Sequence, residues 1–251
     1  MGTAFFKARG YYPAVIHGKK YKCDPYHISF WRAAAKGAWE PETYKVLDEY
    51  LKPDMVYYDI GAWIGPTVLY AAGKTKKVIC FEPDRTAYKY LTWNIDLNSL
   101  DNVTSFNAAL SSESGVMRMS SFGGGLGDSM TSLLNPGKSD LYVDALVLGW
   151  NELIKIIDVN EAKFIKMDIE GGEFDLIPTM KDYLSKTKPI LYLSLHGKFL
   201  PAEDREASFN KIVDALAGYS RCLNEDMEMV DINCLLEPEV LKEARTFLLM
   251  P

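Results

Sequence analysis

The tract Asp59-Ile60-Gly61-Ala62-Trp63-Ile64-Gly65 joins an apolar run to a helical pattern and carries two glycines four positions apart behind a carboxylate. Glycine lets backbone approach a ligand closely, and an acid just before it can hold a charged or hydroxyl group. The tract lacks the third glycine of a GxGxxG dinucleotide fingerprint. Its helix entry, Pro66-Thr67, lacks the Lys-Ser/Thr pair of a phosphate loop. Glu82 ends the next expected strand, 23 positions after Asp59, where doubly wound folds place a carboxylate that accepts both hydroxyls of a ribose. Nucleoside binding without pyrophosphate is the chemistry these residues share, against the bland reading of a tight turn and a solvated strand end.

A second group of acid–base residues falls at two later strand ends. Asp168 and Glu170 close one strand, Glu173 opens the helix after it, and His196 ends Ser194-Leu195-His196-Gly197. Imidazole titrates near neutral pH, so His196 is the candidate general base, with a hydrogen-bonded structural histidine as the alternative. Asp168, Glu170 and His196 also make a ligand set suited to Mg²⁺ or Mn²⁺, which would acidify a hydroxyl. Glu173 is expected to stabilise its helix N-terminus instead.

Positioning these groups requires an alternation of strands and helices. Met55–Ile60, Lys77–Phe81, Val103–Ala109, Phe164–Ile169 and Ile190–Leu195 read as strands. The segments Thr67–Ala72, Arg85–Leu97, 149–158, 173–186 and Asp204–Ala217 read as helices. Such alternation predicts an α/β, doubly wound, mostly parallel sheet with right-handed crossovers. Segments near Arg221–Leu223 and Glu228–Ile232 are expected to close it as an antiparallel pair. Residues 1–52 read as a helical N-terminal cap of the same unit, on the spacing of Ile28, Trp31 and Ala35 and of Tyr44, Leu47 and Tyr50. Residues 53–251 form the main domain, interrupted at about 111–147 by a loop or hairpin rich in Ser and Gly.

Composition narrows the partners. A net charge of -6 gives no broad attraction to phosphate backbones, so nucleic acid is not expected, and small molecules or glycans fit better. Cys23, Cys80, Cys222 and Cys234 show neither CxxC spacing nor clustering with His, which predicts reduced thiols of a cytoplasmic-type compartment and no structural zinc. Nowhere do about 18 apolar residues run together, so no membrane span is expected, and no membrane partner either.

Asp59–Gly65, Phe81-Glu82-Pro83 and Ile165-Lys166-Met167-Asp168-Ile169-Glu170-Gly171-Gly172-Glu173 together resemble the FkbM family of methyltransferases, whose patterns read approximately DxGANxG, FEP and KxDxEGxE. The resemblance covers about residues 37–200. It implies a seven-stranded class I methyltransferase sheet, S-adenosylmethionine as methyl donor, and most often O-methylation of a hydroxyl. Asp59, Gly61, Ala62, Gly65 and Asp168 would then contact the donor's methionine end and Glu82 its ribose, with Asn107 and Ala108 flanking the adenine.

The chain departs from the family at Trp63, where Asn is usual, and at Leu148-Gly149-Trp150, where Leu-Asp-Asp is usual. Trp31, Trp39 and Phe122 would suit stacking on a sugar face, and the loop 121–135 is long enough to close over the site. A sugar, glycan or other small-molecule hydroxyl is the expected acceptor. A non-catalytic methyltransferase-fold binding module and a nicotinamide-dependent oxidoreductase are the competing readings.

Overall fold

Strands buried on both faces, such as the all-buried Val56–Ile60, can be satisfied only inside a sheet covered by helices on each side. The computed structural model describes residues 2–121, 125, 127–129, 131–134 and 142–251. The cap comprises α1 (Thr3–Arg9), β1 (Tyr12–Ile16), β2 (Lys19–Cys23), α2 (Ile28–Ala35) and α3 (Pro41–Tyr50). Then follow β3 (Val56–Ile60), α4 (Pro66–Ala72), β4 (Lys77–Phe81), α5 (Arg85–Leu97) and β5 (Val103–Phe106). An excursion contributes β6 (Ala109–Ser111), β7 (Gly115–Ser121), β8 (Thr131–Ser132) and β9 (Tyr142–Gly149). The chain continues through α6 (Trp150–Ile156), β10 (Ala162–Met167), α7 (Glu173–Thr179), α8 (Lys181–Thr187), β11 (Ile190–His196) and α9 (Arg205–Leu216). It ends with β12 (Arg221–Leu223), β13 (Met229–Val230) and β14 (Ala244–Met250).

The main sheet has the order β13-β12-β14-β11-β10-β3-β4-β5. From β5 to β11 the pairings are parallel, and β14 enters antiparallel between β11 and β12. The doubly wound, mostly parallel expectation holds, with an eighth, two-residue strand beyond the seven expected. Strand order reverses between β3 and β10, so the carboxyl ends of these two strands open a crevice, the usual ligand position in such sheets. One core packs Leu153, Leu176, Phe209 and Leu216 against the sheet, and the other packs Trp31, Leu47, Leu69 and Leu91. Among the described residues no helix is long and apolar enough to cross a membrane. All four cysteines are free.

Four features differ from the sequence expectation. The strand expected over Val103–Ala109 is cut at Asn107, whose amide donates to the carbonyls of Glu82 and Pro83 at 2.8 and 3.1 Å and turns the chain out of the main sheet. The residues beyond it, β6, join a separate sheet in the order β6-β9-β7-β8. The helix expected over 173–186 is two helices meeting at Met180, just past Pro178. The cap carries a β-hairpin, β1–β2, besides its helices, and the C-terminal strand β14 was not anticipated.

The cap is pinned to the domain by Asp24. This fully buried carboxylate accepts from the Tyr26 and His27 backbone N–H, the His27 ring and the Trp31 indole, at 2.8–3.2 Å. Its own backbone N–H donates to Asn94 of α5, whose side chain also reaches the Ile64 carbonyl. Burial alone would raise the Asp24 carboxyl, but its bonds to His27 and the backbone overcome that and hold it below its ordinary 3.8. The stability it contributes is present above pH 3.8 and is lost as pH falls through the lowered value. Asp24→Ala leaves several buried donors unpaired and is expected to cost about 3 kcal/mol at neutral pH, read from urea unfolding.

Candidate active site

At the crevice the chain turns sharply after β3. Gly61 (φ +91°) and Gly65 (φ +88°) adopt left-handed backbone. A Cβ on Gly61 would lie 1.9 Å from the Asp168 carbonyl oxygen, so only glycine allows the ends of β3 and β10 to close together. Asp59, at the floor, is fully buried. Its Oδ2 accepts from Thr67 at 2.5 Å and Tyr57 at 3.0 Å, while Oδ1 has no hydrogen bond among the described residues. Asp59 therefore fixes the turn from beneath.

Two clefts meet over this turn. The first, about 590 Å³, is lined by Gly61, Trp63, Glu82, Ala108, Asp168 and Glu170 among others. Its outer wall is the excursion, through Met119, Ser129 and Leu133. The second, about 1110 Å³, is lined by Glu40, Lys166, Tyr192 and His196 with the same Asp168 and Glu170. Asp168 and Glu170 thus stand at the junction. Ala62 lines a side pocket there with Gly61 and Trp63.

Glu82 is 7% exposed, and its two oxygens accept backbone N–H groups of Asp84 and Trp63, each at 2.8 Å. Burial pushes its carboxyl up to about 8 against those bonds. Each oxygen keeps a further hydrogen-bonding position for a ligand hydroxyl, one of them as a donor while the carboxyl holds its proton. Ala108 lines the same cleft, whereas the Asn107 side chain is exposed and spent on the Glu82–Pro83 turn. Trp63 (φ +49°) lines the cleft and donates its indole N–H to the Gly127 carbonyl at 2.9 Å, while its ring packs edge-on against Phe30. Gly127 N–H in turn donates to Asp84, so described parts of the 121–135 loop do lie over the cleft. Trp31 is fully buried and so is not the exposed stacking surface expected of it, whereas Trp39 is half-buried against Phe30 and lines the side pocket with Gly61 and Trp63. Phe122 lies outside the described residues. The Leu148-Gly149-Trp150 departure is a helix start, with α6 opening at Trp150.

The acid–base residues converge as the strand ends predicted. His196 is 6% exposed, and its Nδ1 bonds Glu173 Oε1 at 2.9 Å, while Nε2 lies 3.6 Å from both Asp168 Oδ1 and Glu170 Oε2. Burial pulls the imidazole down, but the three carboxylates, Glu173 foremost, raise it to about 9. It is an imidazolium at neutral pH. Burial pushes Glu170 up to about 7, with Asp168 and Glu173 adding to the rise and His196 opposing it. Glu173 does more than the helix-start role expected of it: it is fully buried and its Oε1 also accepts from Ile169 N–H at 3.0 Å. The Asp168, Glu173 and His196 ligand atoms lie within 4.8 Å of one another, so the close acidic group around the ring includes Glu173, where the sequence suggested Glu170.

Lys166 received no role from the sequence. Its ammonium, buried beneath the crevice, lies 3.5 Å from Asp168 Oδ2 and 3.9 Å from Asp59 Oδ1. Burial works against its charge, but Asp168, Asp59 and Glu40 raise its pKa well above the ordinary lysine value. The signal was present: a lysine in the otherwise apolar end of β10, two positions before Asp168 and hence on the same side of the strand. Tyr192 and Thr43 carry no motif and join Glu40, of the Trp39-Glu40-Pro41-Glu42 segment, only through tertiary contact.

The family model of the methyltransferase FkbM domain matches residues 59–223. No curated protein matches the chain. Among solved structures, a methyltransferase FkbM from Methylobacillus flagellatus is 19% identical with a TM-score of 0.46, over 90% of this chain and 55% of that one. This chain therefore spans little more than half the length of that protein. A putative transferase from Pyrococcus horikoshii is 17% identical with a TM-score of 0.46, over 96% and 70%. The TYW2 protein of P. horikoshii, solved in complex with MeSAdo, is 19% identical with a TM-score of 0.43, over 96% and 70%.

Removing the buried cation leaves two carboxylates in the floor of the crevice without their counter-charge. Lys166→Met is expected to cost about 3 kcal/mol of stability at neutral pH, measured by thermal or urea unfolding. His196 gives a second check with the opposite pH sense. Because its folded value of about 9 exceeds 6.5, its contribution is full below pH 6.5 and lost as pH rises through about 9. His196→Gln lacks that dependence, so the difference in melting temperature between the native protein and the variant should be largest below pH 6.5 and shrink as pH rises through about 9.

Proposed function

The chain belongs to the FkbM methyltransferase family, and from that premise we propose that it transfers a methyl group from S-adenosylmethionine to a hydroxyl of a sugar, glycan or other small molecule. The observation that carries the reading is the sharing of Asp168 and Glu170 by two clefts, which gives donor and acceptor a common boundary. The first cleft fits the donor on two counts. Gly61 leaves room that any Cβ would fill, and Glu82 offers hydrogen-bonding positions to vicinal hydroxyls from a buried, backbone-held carboxyl.

In this reading Glu82 holds the ribose, Ala108 and Leu110 pack the adenine, and Gly61, Ala62, Gly65 and Asp168 surround the methionine end over the Asp59 floor. The donor supplies an electrophilic methyl on a sulfonium. The acceptor hydroxyl lies in the second cleft and gives its proton to Glu170, whose value of about 7 leaves it half-ionised at neutral pH. His196, expected from the sequence to be that base, instead holds its proton between Glu173 and the two carboxylates, and so orients Asp168 and Glu170. A divalent cation on Asp168, Glu173 and His196 is a second reading, favoured by their mutual reach, in which the metal replaces the imidazolium proton. Activity that survives chelation removes it.

Calorimetry should show S-adenosylmethionine binding and no NAD binding, and Glu82→Ala should weaken donor affinity at least ten-fold. Donor binding without turnover across a panel of sugars and glycans would favour the binding-module reading. With an acceptor in hand, kcat/KM should rise with pH through about 7 as Glu170 ionises and fall through about 9 as His196 loses its proton. Glu170→Gln should lower kcat by about 10²-fold or more and remove the acidic limb.

A further inference from the structure

Charge is unevenly distributed along this acidic chain. Residues 1–23 hold five basic side chains, Lys7, Arg9, Lys19, Lys20 and Lys22, and no Asp or Glu, although the whole chain has a net charge of -6. All five belong to α1 and the β1–β2 hairpin, and all but half-buried Lys19 are exposed. Among the described residues none of the five makes an ion pair. Four of them lie instead over aromatic rings: Lys7 over Tyr26 at 4.5 Å, Arg9 over Tyr11 at 4.1 Å, Lys22 near Tyr11 at 5.5 Å and Lys19 over Tyr70 at 4.5 Å.

The register of the hairpin puts Lys20 and Lys22 on one side and turns half-buried Lys19 to the other, over Tyr70. Pro13 faces Lys22 and Val15 faces Lys20 across the two strands, so the exposed side alternates apolar and cationic groups. Beside it α1 is anchored through Phe6, which packs edge-on against Tyr12, and leaves Ala4, Phe5 and Ala8 in solvent on the helix that carries Lys7 and Arg9. Phe5 is 47% exposed and Tyr26 52% exposed. Exposed apolar and aromatic groups set among unpaired lysine and arginine are the composition that settles at a lipid–water interface.

We propose that α1 and the β1–β2 hairpin form a docking surface for an anionic lipid bilayer, with the basic side chains against the headgroups and Phe5 and Tyr26 at the acyl boundary. A nucleic acid would satisfy the charges but would leave the Ala4–Phe5–Ala8 side of α1 in water. Docking of this kind needs no spanning helix. It also stands independently of methyl transfer, since no residue of the two clefts belongs to the surface. Acidic side chains concentrated in the rest of the chain would be repelled from such a membrane and so would favour this end approaching first.

The test is sedimentation of the full chain with sucrose-loaded vesicles of phosphatidylcholine alone or with about 30% phosphatidylglycerol. Binding is expected only with the anionic lipid and should fall steeply between roughly 0.05 and 0.5 M salt. Lys20→Glu with Lys22→Glu should weaken it at least ten-fold, and Phe5→Ser about five-fold. Lys181→Glu on α8 should leave it unchanged, and donor affinity should be unaltered in every variant as evidence of an intact fold. Equal sedimentation with both vesicles, equal loss in Lys181→Glu, or tighter binding to single-stranded RNA than to anionic vesicles would overturn the proposal.

Discussion

One buried ammonium allows the acidic crevice to exist. Lys166 sits beneath the ends of β3 and β10, within 3.9 Å of Asp59 and 3.5 Å of Asp168. Burying three charges is expensive, and an apolar trio of equal volume would stabilise the sheet as well or better. The arrangement therefore makes sense as a device for keeping Asp168 ionised where the two clefts meet, and its carboxyl is indeed held below its ordinary value, with Lys166 and His196 outweighing burial. The backbone bond from Asp168 N–H to the Ile60 carbonyl joins β3 and β10 at the same place, so closely that residue 61 must be glycine. Charge and close backbone approach thus meet at Asp168.

Much of the fold was legible because parallel strands leave a simple mark, short apolar runs separated by helix-period segments. The remaining elements depend on other signals. The β1–β2 hairpin turns at His17-Gly18, both with positive φ, a two-residue turn usually announced by Asn-Gly, and its strands are rich in Lys and Tyr, not uniformly apolar. The β14 run Phe247–Met250 was readable in principle, yet its place between β11 and β12 rests on long-range pairing. The break at Asn107 follows from a side chain capturing two carbonyls of another strand end, which no local pattern encodes.

The site divides in the same way. Gly61, Gly65 and Glu82 could be named because a close approach and a strand-end carboxylate restrict residue type at fixed spacing. His196 could be named but its state could not. A lone histidine reads as a base near neutrality, whereas contact with Glu173, Asp168 and Glu170 raises it to about 9, while burial brings Glu170 up to about 7. Protonation belongs to the assembled cluster, and only the folded chain assembles it.

Trp63 shows how one substitution can couple parts that a motif treats as separate. Its backbone N–H holds Glu82, a contact that any residue at this position could make. Its indole adds two more: the N–H to Gly127 in the excursion, and the ring edge-on to Phe30 in α2. A short polar side chain would reach neither. The wall of the first cleft and the cap are thus registered against the carboxylate of that cleft through one residue held at φ +49°, a conformation an aromatic side chain adopts only when its surroundings overdetermine it. The excursion and the cap supply those surroundings, so in this chain they are structural parts of the first cleft, not appendages beside it.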